Sequence, residues 1–126
     1  MRAASLALYA SLLSSIFGGV WLLLTDAELW AVAPDHAYGL AALVGADVFM
    51  LAALLSGRVG RRGLRYISVA GVVKLALVAG DVLTAPQFGL GYAEFASYLF
   101  SLWAYDLLVV SQVWVAASAY ASSRMK

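Results

Sequence analysis

The sequence predicts an all-α integral membrane protein, with four transmembrane helices in an up-down bundle. Two compositional observations and one charge pattern support this fold class. Of the 126 residues, 64% are hydrophobic and 12% are charged, whereas soluble domains average about 45–50% and roughly 25%. Four apolar stretches are as long as the roughly 20 residues that a helix needs to cross a bilayer. Basic residues also collect on one side of a four-span arrangement.

The predicted spans cover residues 3–24, 36–56, 63–84 and 92–121 of a single domain, 1–126. Helix is the expected conformation, because an open chain in lipid can satisfy its backbone polar groups only within a helix. The fourth stretch is longer than a crossing requires, so we expect it to tilt or to protrude.

The first span carries a small residue at every fourth position. Such ladders allow helix backbones to approach closely in lipid. Two interpretations remain open, packing inside the bundle and packing against another subunit. The ladder consists of Ala3, Ala7, Ser11, Ser15 and Gly19.

The first outer loop is predicted to contain a short helix that lies on the membrane interface, over about residues 26–33. Thr25 and Glu28 have the spacing of a capping box. Pro34 is expected to end this helix, and Asp35 is expected to cap the second span.

Orientation follows from the basic residues, which the positive-inside rule places in the cytoplasm. The two opposite loops contain no Lys or Arg. Both termini and the middle loop are therefore predicted to be cytoplasmic, in a multi-pass protein of the cell membrane. A binding site for anionic lipid or a partner is the alternative interpretation of the middle loop. The predicted cytoplasmic basic loop consists of Arg58, Arg61, Arg62 and Arg65, and Arg2, Arg124 and Lys126 lie on the same side.

Three ionisable residues are predicted near the middle of the bilayer. Asp47 and Lys74 each lie eleven residues into their spans, at a depth of about 16 Å, and Asp106 lies about 20 Å past Ala93. Charge at that depth is costly, and it marks a functional site unless it serves structure alone. We therefore expect a central charge cluster of Asp47, Lys74 and Asp106, either as a structural ion pair or as a site for an ion, proton or polar solute.

A polar path is predicted to connect the outer surface to this cluster. His36 shares a helix face with Asp47, and Lys74 shares a face with Asp81. The fourth span carries a polar stripe that ends near Gln112. The predicted outer path consists of His36, Asp81, Glu94, Tyr98, Ser101 and Tyr105.

Several function classes find no support in the sequence. The net charge is +1, which gives no electrostatic argument for nucleic acid. The chain has no Cys and a single His, so neither thiol chemistry nor a site with several His ligands is expected. The sequence contains no G-x-S-x-G, HExxH, phosphate-loop or EF-hand motif. We therefore predict no catalytic residue, no metal and no cofactor.

Three functional hypotheses remain, in this order. The first is a small membrane protein that handles a proton, ion or small polar solute, as a homo-oligomer or within a complex. The second is a non-catalytic accessory or assembly subunit of a larger membrane complex, such as a respiratory one. The third is a membrane enzyme that acts on a lipid or a quinone.

Overall fold

A computed structural model describes residues 3–125, without the side chain of Ala3, and this part of the chain is all-helical. Six α-helices and one 3₁₀ helix follow one another with short connections. In chain order they are α1 (Ala3–Thr25), α2 (Ala27–Val32), α3 (Pro34–Leu55), α4 (Arg61–Ala79), the 3₁₀ helix (Gly80–Phe88), α5 (Tyr92–Phe100) and α6 (Trp103–Arg124).

The predicted helical fold class is confirmed, and three helical segments are long and apolar enough to cross a membrane. These are residues 4–25, α3 and the continuous run of α4 and the 3₁₀ helix. A fourth segment qualifies if α5 and α6 count together as one span.

The four long helices alternate in direction, so that the bundle has two distinct ends. One end, here called the arginine end, holds the connection from α3 to α4 and the C-terminal end of α6. At this end the hydroxyl of Tyr9 donates a hydrogen bond to the carbonyl of Leu54, which ties α1 to α3. The other end, here called the cavity end, holds α2, the 3₁₀ helix and α5.

The predicted fourth span, residues 92–121, is not one continuous helix, because the chain turns sharply at residues 101–102. The axes of α5 and α6 differ by 91°. Leu102 is extended between them, with φ −87° and ψ 114°. The hydroxyl of Ser101 donates to the carbonyl of Tyr98, and Trp103 packs against Trp21 of α1 with ring centroids 5.1 Å apart. Anchored in this way, α6 starts a new helix of 22 residues.

The short helix predicted in the first loop is present as α2, with different capping. Asp26 caps it, since its carboxylate accepts a hydrogen bond from the backbone N–H of Leu29. Thr25 instead donates to the carbonyl of Trp21. Pro34 opens α3 rather than only ending α2, which suits its fixed φ and missing N–H. Asp35 therefore lies in the first turn of α3 and does not cap it.

The interior is layered, with two apolar clusters separated by polar residues. The cluster at the arginine end contains Leu8, Leu12, Met50, Leu64, Ile67, Val115 and Ala119. The cluster at the cavity end contains Leu22, Val78, Ala85, Phe95, Leu99, Ala104, Tyr105 and Leu108. The buried polar residues between these clusters form the centre of the candidate site.

Candidate functional site

The middle of the bundle contains a buried ion pair between Asp47 of α3 and Lys74 of α4. The Lys74 ammonium contacts Asp47 Oδ1, and the side chains of Lys74 and Asp47 are only 4% and 2% exposed. A buried charge is costly without a partner, and here each charge neutralises the other. The sequence-based prediction that these two residues meet is therefore confirmed.

Ser15 and Gln112 complete this polar layer from the other two long helices. Ser15 donates a hydrogen bond of 2.5 Å to Asp47 Oδ2. Gln112 Nε2 donates to Ser15 Oγ at 2.7 Å and to the carbonyl of Leu108 at 3.0 Å. The Leu108 carbonyl can only accept, so it fixes the orientation of the amide. Each long helix thus contributes one residue, and both hydrogens of the amide are used.

One atom of this layer is left without a partner among the described residues. The buried Gln112 Oε1 accepts no hydrogen bond there. Buried side-chain oxygens are nearly always hydrogen-bonded, and an exception indicates a possible site for water or another donor. The polar layer can therefore accept one more hydrogen bond than residues 3–125 supply.

Asp106 does not join this layer, and the predicted cluster of three charges is corrected to a pair. Its half-buried carboxylate forms no ion pair or hydrogen bond with any described side chain. The depth estimate assumed a straight helix from Ala93, but the bend before Trp103 places Asp106 in the first turn of α6. Gln112, about 9 Å further along α6, occupies the predicted level instead. A carboxylate is favourable at a helix N-terminus.

The ladder of small residues on α1 lies inside the bundle. Ser11, Ser15 and Gly19 are buried and Ala7 is half-buried, while the side chain of Ala3 lies outside the described part. A Cβ added to Gly19 would lie 2.5 Å from a methyl group of Val44 on α3. The described part of the ladder therefore brings α1 close to its neighbours in the same chain.

Helices α4 and α6 also approach each other closely, at a point about one helical turn from Lys74. A Cβ at Gly71 would lie 2.9 Å from the backbone nitrogen of Ala116. Ser68 donates a hydrogen bond of 2.8 Å to the Ala116 carbonyl. This contact holds the two helices that carry Lys74 and Gln112 at a fixed separation.

A cavity of about 440 Å³ opens at the cavity end and reaches toward the polar layer. Leu43, Val78 and Leu108 line it. Each of these residues is four positions from Asp47, Lys74 or Gln112, which is about 6 Å along a helix. One turn of apolar side chains therefore separates the cavity from the buried charges.

His36 and Asp81 form an acid–base pair in the cavity wall. His36 Nδ1 lies 3.5 Å from Asp81 Oδ1, and the side chains are 18% and 32% exposed. The edge of the His36 ring also packs against Phe88, with centroids 5.7 Å apart. Both residues line the main cavity and an adjoining one of about 240 Å³.

The other predicted path residues divide between the cavity and the surface. Tyr105 lines the cavity, and its hydroxyl donates a hydrogen bond of 2.5 Å to the Val78 carbonyl near the end of α4. Tyr98 lines the smaller cavity and donates to Glu28 at 3.4 Å. Ser101 and Glu94 line neither of these two cavities: Ser101 donates within its own helix, and Glu94 accepts from the N–H of Gly91.

The four arginines of the predicted basic loop are exposed at the arginine end. Arg58 lies in the connection between α3 and α4, and Arg61, Arg62 and Arg65 lie in the first turns of α4. Arg124 is exposed in the last turn of α6 at the same end, while Arg2 and Lys126 lie outside the described residues. The described arginines are thus at the opposite end from the carboxylates around the cavity.

Comparisons with models of protein families, with curated proteins and with solved structures give no match to this chain.

Proposed function

We propose that the protein is an integral membrane protein that takes a proton or small solute from the cavity end toward its buried charge pair. The observation that carries this proposal is the cavity, which begins at the His36–Asp81 pair and stops one helical turn from Asp47 and Lys74.

The distribution of polarity supports insertion in a membrane. On α6 the buried side chains include Ser111, Gln112 and Ser118, whereas Val110 and Val113 are 61% and 52% exposed. A soluble helix has the opposite arrangement, with its apolar face buried. An apolar exterior of this extent suits lipid.

The positive-inside rule places the arginine end in the cytoplasm and the cavity end outside. Because the chain has no Cys, single introduced cysteines report directly on which side of the membrane each end lies. We expect a membrane-impermeant maleimide to label Thr25→Cys in intact cells and Ser56→Cys only after lysis. Both positions are exposed, so they are matched in accessibility. The reverse labelling pattern would exclude the proposed orientation.

Access to the polar layer is asymmetric in this conformation. Toward the cavity, the barrier is a single turn of apolar side chains, and such constrictions are known to gate passage in membrane proteins. Toward the arginine end, the apolar cluster that includes Leu12, Met50 and Val115 is packed. We therefore assign loading to the cavity end. The unsatisfied acceptor on Gln112 supports entry of a hydrogen-bond donor to this layer.

Proton flux into proteoliposomes tests this function with a charge-neutral variant. Replacing both members of a buried ion pair by uncharged residues often preserves the fold, so Asp47→Asn/Lys74→Met removes the charges together. We expect wild-type protein to increase flux above protein-free vesicles and the double variant to abolish the increase.

Ser11→Ala serves as the control for this experiment, because the Ser11 hydroxyl donates only to the carbonyl of Leu8 in its own helix. Its flux should equal that of wild type. Wild-type flux equal to that of empty vesicles, or a folded double variant with full flux, would refute proton transport through the pair.

Assembly into a homo-oligomer or a larger complex remains part of the proposal, because four helices enclose little space. The alternative of an accessory subunit loses one of its arguments, since the described ladder residues of α1 pack inside the bundle. The third hypothesis, an enzyme acting on a lipid or quinone, would place its substrate in the same cavity.

A further inference from the structure

We infer that the cavity at the His36–Asp81 pair binds a hydrophobic monocation, an amine or onium ion with an apolar body. This inference rests on the proposed function and names the solute class that the cavity admits. It follows from the size of the cavity, its walls and the sign of the charges around it.

The walls and size fit a compact organic molecule. The volume of about 440 Å³ lies within the range of ligand cavities, roughly 300–1,000 Å³. Leu40, Leu77 and Leu102 are among the side chains that make the wall mostly apolar, and they come from different elements of the bundle. Such walls favour an apolar body over a fully hydrated ion.

The charges around the cavity are negative. Asp26 immediately before α2, Asp35 of α3 and Asp81 of the 3₁₀ helix line it, and His36 is the one basic side chain among the described lining residues. His36 already contacts Asp81, so even a protonated imidazole leaves an excess of carboxylates. A partly enclosed, low-dielectric site strengthens the attraction of this excess for a cation.

The charged residues beyond the cavity also make this end of the bundle negative. Glu28 lines the adjoining cavity, whereas the described arginines lie at the other end of the bundle. An anionic solute would be repelled at this site, and a neutral solute would gain no charge–charge attraction from the excess of carboxylates. The combination of apolar walls and net negative charge therefore selects a hydrophobic cation.

The test uses two probes of nearly the same shape and opposite charge. Tetraphenylphosphonium and tetraphenylborate are titrated calorimetrically into the full chain in nanodiscs, and the signal of protein-free nanodiscs is subtracted. We expect saturable binding of the phosphonium and none of the borate. Equal binding of both ions, or no saturable binding of the phosphonium, would overturn the inference.

Two pairs of variants locate the site. Asp81→Asn should weaken phosphonium binding at least tenfold, while Glu94→Gln, which removes a carboxylate outside the described cavity linings, should not. Gly39 lines the cavity and has open space around an added Cβ, so Gly39→Leu should fill part of the cavity and weaken binding. Gly45 on the same helix also has open space but does not line the cavity, so Gly45→Leu should bind as wild type does.

The outcomes separate this inference from the proposed function. Proton flux without phosphonium binding would refute the cation assignment and leave the proposed function in place. Phosphonium binding that is equal in Asp81→Asn and Glu94→Gln would also refute it, because the site would then lie elsewhere. Binding that follows the two variant pairs supports the inference even where no proton flux is measured, in which case proton transport by the buried pair is refuted and the cation site stands.

Discussion

Two acid–base pairs of the described part of the chain lie in opposite environments. The Asp47–Lys74 pair is almost fully enclosed, and Ser15 and Gln112 extend it into a layer across all four long helices. The His36–Asp81 pair is partly exposed and lines a cavity. The charges of the enclosed pair neutralise each other inside the protein, whereas the cavity pair is still exposed enough to contact a solute. Burial therefore makes the Asp47–Lys74 pair part of what holds the fold together, whereas the His36–Asp81 pair can be reached directly from the cavity.

The largest expected effect is the loss of one partner of the enclosed pair. Lys74→Met alone leaves the Asp47 carboxylate buried without a counter-ion, and we expect a loss of about 3–5 kcal/mol in the free energy of unfolding. The double variant Asp47→Leu/Lys74→Met should recover most of this loss. Unfolding in mixed micelles, followed by tryptophan fluorescence, measures both. Equal stability of wild type and Lys74→Met would show that the pair is not enclosed.

A smaller loss in the free energy of unfolding is expected when the Ser15 hydroxyl, which connects the Asp47–Lys74 pair to α6, is removed. Ser15→Ala removes the donor to Asp47 and the acceptor for Gln112, and leaving such buried groups unpaired costs about 1–3 kcal/mol. Ser11→Ala is the matched control, because Ser11 is equally buried but bonds only within its own helix. If the two variants unfold at the same denaturant concentration, the layer contributes no more than an ordinary helical serine.

The smallest effect on stability is expected at the cavity pair. Asp81→Asn removes a carboxylate whose contact with His36 is partly open to solvent, so we expect a change of about 1 kcal/mol or less. The same unfolding assay measures it beside Lys74→Met. A destabilisation as large as that of Lys74→Met would contradict the distinction between the two pairs.

Much of the fold could be predicted because the decisive quantities are local. The length and apolarity of a stretch predict a spanning helix, and the rise of about 1.5 Å per residue gives depth. The estimated depths correctly predicted that Asp47 and Lys74 meet, because α3 and the run of α4 and the 3₁₀ helix are both unbroken at the depth where these residues lie. It also placed His36 and Asp81 near one another at the same end.

The same counting failed for Asp106 because its helix is not continuous. No Gly or Pro marks residues 101–103, and the excess length of the fourth stretch was the one available signal. The mid-level positions of Ser15 and Gln112 were also visible in the sequence, but Ser15 was assigned to the ladder and Gln112 to the polar stripe. Each long helix carries a polar residue near its middle, and this pattern was the signal that could have predicted one shared polar layer.

The sequence by itself determined the helical class, the apolar segments, the polarity of the two ends and the Asp47–Lys74 partnership, because all of these depend on composition and on distance along the chain. Only the tertiary structure decided the bend before α6, the exclusion of Asp106, the network through Ser15 and Gln112, and the cavity. These features depend on which helix faces meet and how closely. Contacts between distant residues determine that, such as Trp103 against Trp21 and Gly71 against Ala116.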